Sequence, residues 1–67
     1  MKVTINGEAK EIEQETSVTS LLTVCEVKMP DMVSVELNGE IVDRNTFDTT
    51  SIKEGDKIEF LYYMGGG

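Results

Sequence analysis

Apolar and polar residues alternate at both ends of this 67-residue chain, and a helical spacing appears only between them. Val3 and Ile5 are flanked by polar residues, the period-two pattern of a half-buried strand. Asn6-Gly7 follows, a pair that tolerates positive φ and so favours a tight hairpin turn into a second short strand, Glu8 to Ile12. Thr16-Ser17 then offers a helix cap, after which Val18, Leu21, Leu22 and Cys25 share one face at three- and four-residue spacing. Ser17 has no Glu or Gln three residues on, so the reciprocal half of a capping box is missing. The helix must be over by Pro30, because the residue before a proline avoids the α region.

Beyond Pro30 the pattern returns to period two. Val33, Val35 and Leu37 alternate with Ser34 and Glu36, and Asn38-Gly39 signals another turn leading to Glu40-Ile41-Val42. An irregular stretch from Phe47 to Ile52 precedes a polar turn, Lys53-Glu54-Gly55-Asp56. The last strand, Lys57 to Met64, is the most apolar; large side chains on both of its faces predict a central place in the sheet. The order is β-β-α-β-β-β. It predicts an α+β fold in which one main helix packs on one face of a mixed five-stranded sheet. The helix serves as the crossover between the first hairpin and the later strands.

Composition narrows the function classes. A chain of this length makes one small domain that buries only about 60% of the surface it exposes when unfolded. Cys25 is the single cysteine and histidine is absent, which excludes an internal disulfide framework and a zinc-type cluster. Thirteen acidic residues against six basic ones give a net charge of −7. Nucleic acid and anionic membrane are therefore poor partners, whereas a protein with a basic surface is steered toward the chain. After Met1-Lys2 the apolar residues never run continuously, so a signal peptide is not expected, and a reduced, cytoplasmic setting is.

The chain ends in Gly65-Gly66-Gly67. At a Gly usage of about 7%, three terminal glycines arise by chance roughly once in three thousand chains. Glycines supply no acid, base or metal ligand. They can form an arm that fits a narrow channel, with the Gly67 carboxylate at its tip. Such an arm suits a protein whose own terminus is the reacting group; a frayed end is the plainer alternative.

Taken together, these residues resemble the ubiquitin-like β-grasp sulfur carriers, and most closely the ThiS family of the thiamin-thiazole pathway. The resemblance is carried by Val33-Ser-Val-Glu-Leu-Asn-Gly-Glu-Ile-Val42, Arg44, Lys53-Glu-Gly-Asp-Lys-Ile-Glu59 and the terminal Gly66-Gly67, with Ile5-Asn6-Gly7-Glu8 and the Val18 to Leu22 helix in support. It covers essentially the whole chain. Two departures stand out: Asp43 occupies a position where the family usually has proline, and the helix exit Val27-Lys28-Met29-Pro30 is atypical.

The resemblance implies a β-grasp domain over 1–64 and a flexible glycine tail over 65–67. It implies no catalytic activity in the chain itself, which would be a monomeric substrate protein passed between enzymes. A ThiF-type adenylyltransferase, using ATP and Mg²⁺ that the carrier itself does not bind, would activate the Gly67 carboxylate. A persulfide donor would convert it to a thiocarboxylate, and a ThiG-type thiazole synthase would accept the sulfur. Gly67 would be the site of covalent modification and Gly66 would be needed for access, with Gly65 as added reach. Related carriers serve molybdopterin or methionine routes with the same tail, and a ubiquitin-like binding module that never uses its terminus is a further alternative.

Other residues have structural and functional readings side by side. In a regular last strand, Leu61 and Tyr63 point opposite to Ile58, Phe60 and Tyr62. By family analogy, Leu61, Tyr63 and Met64 form part of the docking surface. The plainer reading is apolar area that a small sheet leaves exposed. Cys25 lies on the helical stripe of Leu21 and Leu22 and reads as a core residue rather than a persulfide acceptor. The acids are scattered, with no spacing that singles out an acid–base pair, and read as a solvated face. Arg44 reads as a local turn contact before a clamp for a partner's carboxylate or phosphate.

Overall fold

In the computed structural model the backbone is described over residues 1–62 and the side chains through Leu61. Strands β1 (Lys2–Ile5) and β2 (Glu8–Glu11) form the first hairpin, and helix α1 (Val18–Val24) follows. A 3₁₀ turn at Pro30–Met32 leads into β3 (Val33–Leu37) and β4 (Glu40–Ile41). A second such turn, Arg44–Thr46, precedes β5 (Lys57–Tyr62). The sheet order is β2-β1-β5-β3-β4, with β5 parallel to β1 and antiparallel to β3. The expected element order, the mixed five-stranded sheet and the central position of the last strand are all present.

Both asparagine–glycine turns form as expected. Asn6 and Gly7 have φ of +51° and +84°, and Asn38 and Gly39 have +54° and +88°, the paired positive values that match the twist of a two-residue hairpin. Ser17 caps α1 in extended backbone, its hydroxyl oxygen accepting the Ser20 N–H at 3.0 Å. Ser20 stands where a capping box would place Glu, and the Ser17 hydroxyl donates to its Oγ at 3.1 Å.

The helix exit has a definite geometry that the sequence pattern did not reveal. Glu26 N–H donates to the Thr23 carbonyl and Val27 N–H to that of Leu22, both at 3.0 Å, while Glu26 sits at φ +57°. This is a Schellman termination in which a non-glycine residue takes the left-handed position, and Val27 folds back onto the core. Left-handed backbone costs a residue with a Cβ about 1–2 kcal/mol, and glycine offsets part of its own advantage through unfolded-chain entropy. Glu26→Gly is therefore expected to stabilise the fold by up to about 1 kcal/mol, seen as a rise in thermal midpoint. A fall in the midpoint would mean that the Glu26 side chain contributes a contact outweighing this strain.

The core lies between the helix and one face of the sheet. Val3 and Ile5 from β1, Val33 and Val35 from β3, and Ile58 and Phe60 from β5 meet Val18, Leu21 and Leu22 of α1. Ile12, Phe47 and Ile52 close the rim. Ile12 does so while extending the β1–β2 register by one pair, its N–H donating to the Met1 carbonyl at 2.8 Å and its carbonyl accepting from the Met1 ammonium at 2.6 Å. The irregular stretch around Phe47 to Ile52 is a wall rather than a passive link. The Val18 N–H donates to the Thr50 carbonyl at 3.0 Å, and the Ile52 N–H to the Thr16 carbonyl at 2.8 Å.

One reason given for the central strand needs correction. β5 is central because it pairs on both edges, yet only one of its faces is buried. Lys57, Glu59 and Leu61 all face outward and are exposed, so the sheet is covered on a single side. No helix among the described residues is long and apolar enough to cross a membrane.

Candidate functional site

Gly65, Gly66 and Gly67, with Tyr63 and Met64, lie outside the described residues. What the structure does show is the end of β5 from which they continue, and the sheet face beside it. β5 pairs with β3 along its length, from Leu37 opposite Ile58 to Val33 opposite Tyr62. Leu61, 43% exposed, faces away from the helix as expected, whereas Ile58 and Phe60 face the core.

Residues opposite one another in a ladder share a face, so the outer surface around Leu61 can be read from the register. Leu61 stands opposite Ser34. Glu59 stands opposite Glu36, which is in turn opposite Ile41. Ile41 is 62% exposed. Exposed apolar groups thus flank two carboxylates placed directly across from each other, an arrangement that repels in the free protein.

Loop side chains hold the far end of β5 and the start of its neighbour β3. Asn6 Oδ1 accepts the Phe60 N–H at 2.8 Å, just past the point where β1 turns away. Arg44 donates through Nη1 to the Pro30 carbonyl and through Nη2 to the Val33 carbonyl, each at 2.8 Å. Its guanidinium also lies over the Phe47 ring, 5.4 Å from the centroid. The local turn contact expected of Arg44 is not what forms; instead its side chain reaches backbone carbonyls 14 and 11 positions back in the chain. Asp43, the departure from family proline, caps the 3₁₀ turn that presents Arg44, its Oδ1 accepting the Asn45 N–H at 2.9 Å. A carboxylate cap therefore starts this turn.

Cys25 is only partly a core residue. It ends α1, half-buried at the core's rim beside a concavity lined by Ile5, Asn6, Glu8, Lys10 and Phe60. Burial pushes its thiol pKa up, with the nearby Lys10 charge opposing, so the reactive thiolate is disfavoured. Several acids have structural work beyond solvation. Asp48 accepts the Thr19 hydroxyl at 2.6 Å, Glu54 accepts the Lys2 N–H at 3.0 Å, and Asp56 accepts the Lys53 N–H at 2.7 Å and the Asn38 amide at 3.0 Å. Among the described residues no three acidic or cysteine side chains converge as metal ligands would.

The sequence profile of the ThiS family matches residues 3–67. The chain belongs to the ThiS family. It shares 45% identity with the crystal structure of the thiamine biosynthesis protein ThiS from Geobacter metallireducens. The match covers 100% of both chains with a TM-score of 0.90. The thiazole synthases of Magnetococcus marinus and Paramagnetospirillum magneticum are each 36% identical over the whole chain. The chain spans 20% of the length of these curated relatives. It has the ubiquitin-like β-grasp fold, with β5 as the central strand of the mixed sheet.

The sequence pointed to the tail and to Leu61 but missed Asn6 as a clamp on β5 and Arg44 as a clamp on the start of β3. Asn6 was legible only as a turn residue, and Arg44 only as a turn contact without its targets. Both bind backbone groups distant in sequence, and no local pattern signals that.

Proposed function

We propose that this ThiS-family chain carries sulfur for the thiazole part of thiamine as a thiocarboxylate on Gly67. The observation that carries the reading is the family match across residues 3–67, supported by the full-length likeness to the Geobacter thiamine biosynthesis protein.

A carboxylate is a poor electrophile. An oxygen of the Gly67 carboxylate attacks the α-phosphorus of ATP, pyrophosphate leaves, and an acyl adenylate forms. Charge at that phosphorus must be held by Mg²⁺ and cationic groups, which a ThiF-type adenylyltransferase supplies. The terminal sulfur of a persulfide donor then attacks the acyl carbon and AMP departs. A thiol reduces the resulting acyl disulfide, releasing the thiocarboxylate and leaving a disulfide between the two thiols. A ThiG-type thiazole synthase takes the sulfur; the two thiazole synthase relatives support that partner and favour thiamine over molybdopterin or methionine routes. The carrier's own part is to dock and to present its end. Gly66 and Gly65 serve it by leaving bare backbone where any Cβ would narrow the fit.

The outer sheet face is the docking surface in this reading, with Leu61 as its described member; Tyr63 and Met64, proposed to join it, lie outside the described residues. The opposed Glu36 and Glu59 gain a counter-charge when a basic side chain covers them, and a net charge of −7 steers such a partner in. Leu61→Asp and Glu59→Lys are each expected to weaken capture by the cognate adenylyltransferase about tenfold or more while leaving the thermal midpoint nearly unchanged. Wild-type capture by both variants would remove this face from the docking surface.

The function itself is tested by intact mass. Incubation with ATP, Mg²⁺, a persulfide source, a thiol and the cognate adenylyltransferase is expected to shift the chain by one oxygen-for-sulfur exchange. An unchanged mass sinks the proposal.

A further inference from the structure

β1 accompanies β5 for only two residues, Thr4 opposite Lys57 and Ile5 opposite Ile58. β5 continues to Tyr62, but β1 swings away at Asn6 and Gly7 into its hairpin. The Asn6 N–H still donates to the Ile58 carbonyl at 2.9 Å, as a parallel ladder requires. The next bond of that ladder would run from the Phe60 N–H to the backbone carbonyl of Asn6. Instead the Asn6 side chain stands in, its Oδ1 accepting the Phe60 N–H at 2.8 Å. One residue therefore holds β5 at two successive points where its neighbouring strand has run out.

On the opposite flank the restraint is indirect and acts on β3, the strand that pairs with β5. Arg44 grips the carbonyls of Pro30 and Val33, and Val33 is the residue opposite Tyr62. The hairpin turn alone does not require the Asn6 side chain, because glycine adopts the same positive φ without it. Nor does burial of the Phe60 ring depend on an acceptor for its N–H. The extra bond acts on the course of the β5 backbone, two residues before the last described position.

We infer that Asn6, bonded to β5, and Arg44, bonded to the start of its neighbour β3, are positioning residues for the loading step, setting the course of β5 at its last described residues and hence where the Gly67 carboxylate arrives in the activating enzyme. The inference rests on the carrier reading above. Five residues follow Tyr62, and fully extended they reach at most about 17 Å. A segment drawn to full length in a narrow channel has no slack, so a displaced starting point is passed on to the carboxylate. A misplacement of about 1 Å at reacting atoms costs on the order of a hundredfold in rate.

The test uses the full chain with its cognate adenylyltransferase, ATP and Mg²⁺, following ATP–pyrophosphate exchange with kcat and KM for the carrier resolved. Asn6→Gly keeps a residue that adopts the turn's positive φ and removes the side chain with its acceptor oxygen; Asn6→Asp keeps an oxygen in its place. Asn6→Gly is expected to lower kcat about tenfold or more at unchanged KM, because the docking face is intact, and Asn6→Asp to restore it. Amide exchange at Phe60 should accelerate in Asn6→Gly and not in Asn6→Asp. Arg44→Lys keeps the charge but cannot span two carbonyls, so it provides a second, independent variant with the same expected loss of kcat. Folded variants with wild-type kcat overturn the inference, as does a lowered thermal midpoint with both kinetic constants unchanged. A loss confined to KM makes these docking residues and overturns it too. No exchange with the wild-type chain overturns the carrier reading, and this inference with it.

Discussion

Deletion of Gly67 is expected to abolish sulfur loading while the thermal midpoint stays within about a degree of the wild-type value. The two halves of this result have separate causes. Loading needs a carboxylate at the end of the channel, and removing one residue withdraws it by about 3.4 Å, well beyond the tolerance of an in-line attack on phosphorus. Stability is untouched because every residue of the described core lies at or before Phe60. Intact mass after incubation with ATP, Mg²⁺, persulfide, thiol and the adenylyltransferase should show no oxygen-for-sulfur exchange in the deletion and full exchange in the parent. An amidated Gly67 should behave as the deletion does, because it has the reach but no free carboxylate. Sulfur loading of either variant would show that the reacting group is not the Gly67 carboxylate.

The largest expected effect on the fold comes from Leu21→Ala. Leu21 is fully buried, with no exposed surface, between α1 and the inner face of the sheet. Truncating a buried leucine removes its transfer free energy and leaves a cavity, together about 2–5 kcal/mol. A domain of this length has a total stability of roughly 3–10 kcal/mol, so the single change removes a large share of it. Urea unfolding should show a midpoint shifted far down with little change in slope. Val24→Ala on the same helix is the control: Val24 is 59% exposed, and its truncation should be nearly neutral. Equal effects at the two positions would mean that the buried face of α1 has been misassigned.

Much of the fold was legible in the sequence, for reasons that differ by element. The two asparagine–glycine turns are set by local backbone sterics, so dipeptides alone located both hairpins. The stripe of Val18, Leu21 and Leu22 located the helix and its buried face, and Ser17 its start. Cys25, one turn further along the stripe, only reaches the core's rim because the helix ends there. That ending was not legible: a Schellman turn at Glu26 uses a residue type that carries no stop signal. The candidate site divides in the same way. The terminal glycines are read directly from the sequence and Leu61 was singled out by period together with family analogy, whereas the clamps on β5 and β3 were not legible.

By itself, then, the sequence determined the order of elements, the turns between them, the face that each strand and the helix turn inward, and the glycine end that marks the family. These depend on neighbours within a few residues, where period, φ preference and capping act. Only the tertiary structure decided that β5 is open to solvent on one face, that Phe47 and Ile52 close the core, that Asn6 holds β5, and that Arg44 holds the start of β3 beside it. Those contacts join residues from 11 to 54 positions apart in the chain. They exist because buried or strand-end backbone groups must find partners wherever the fold brings one within reach.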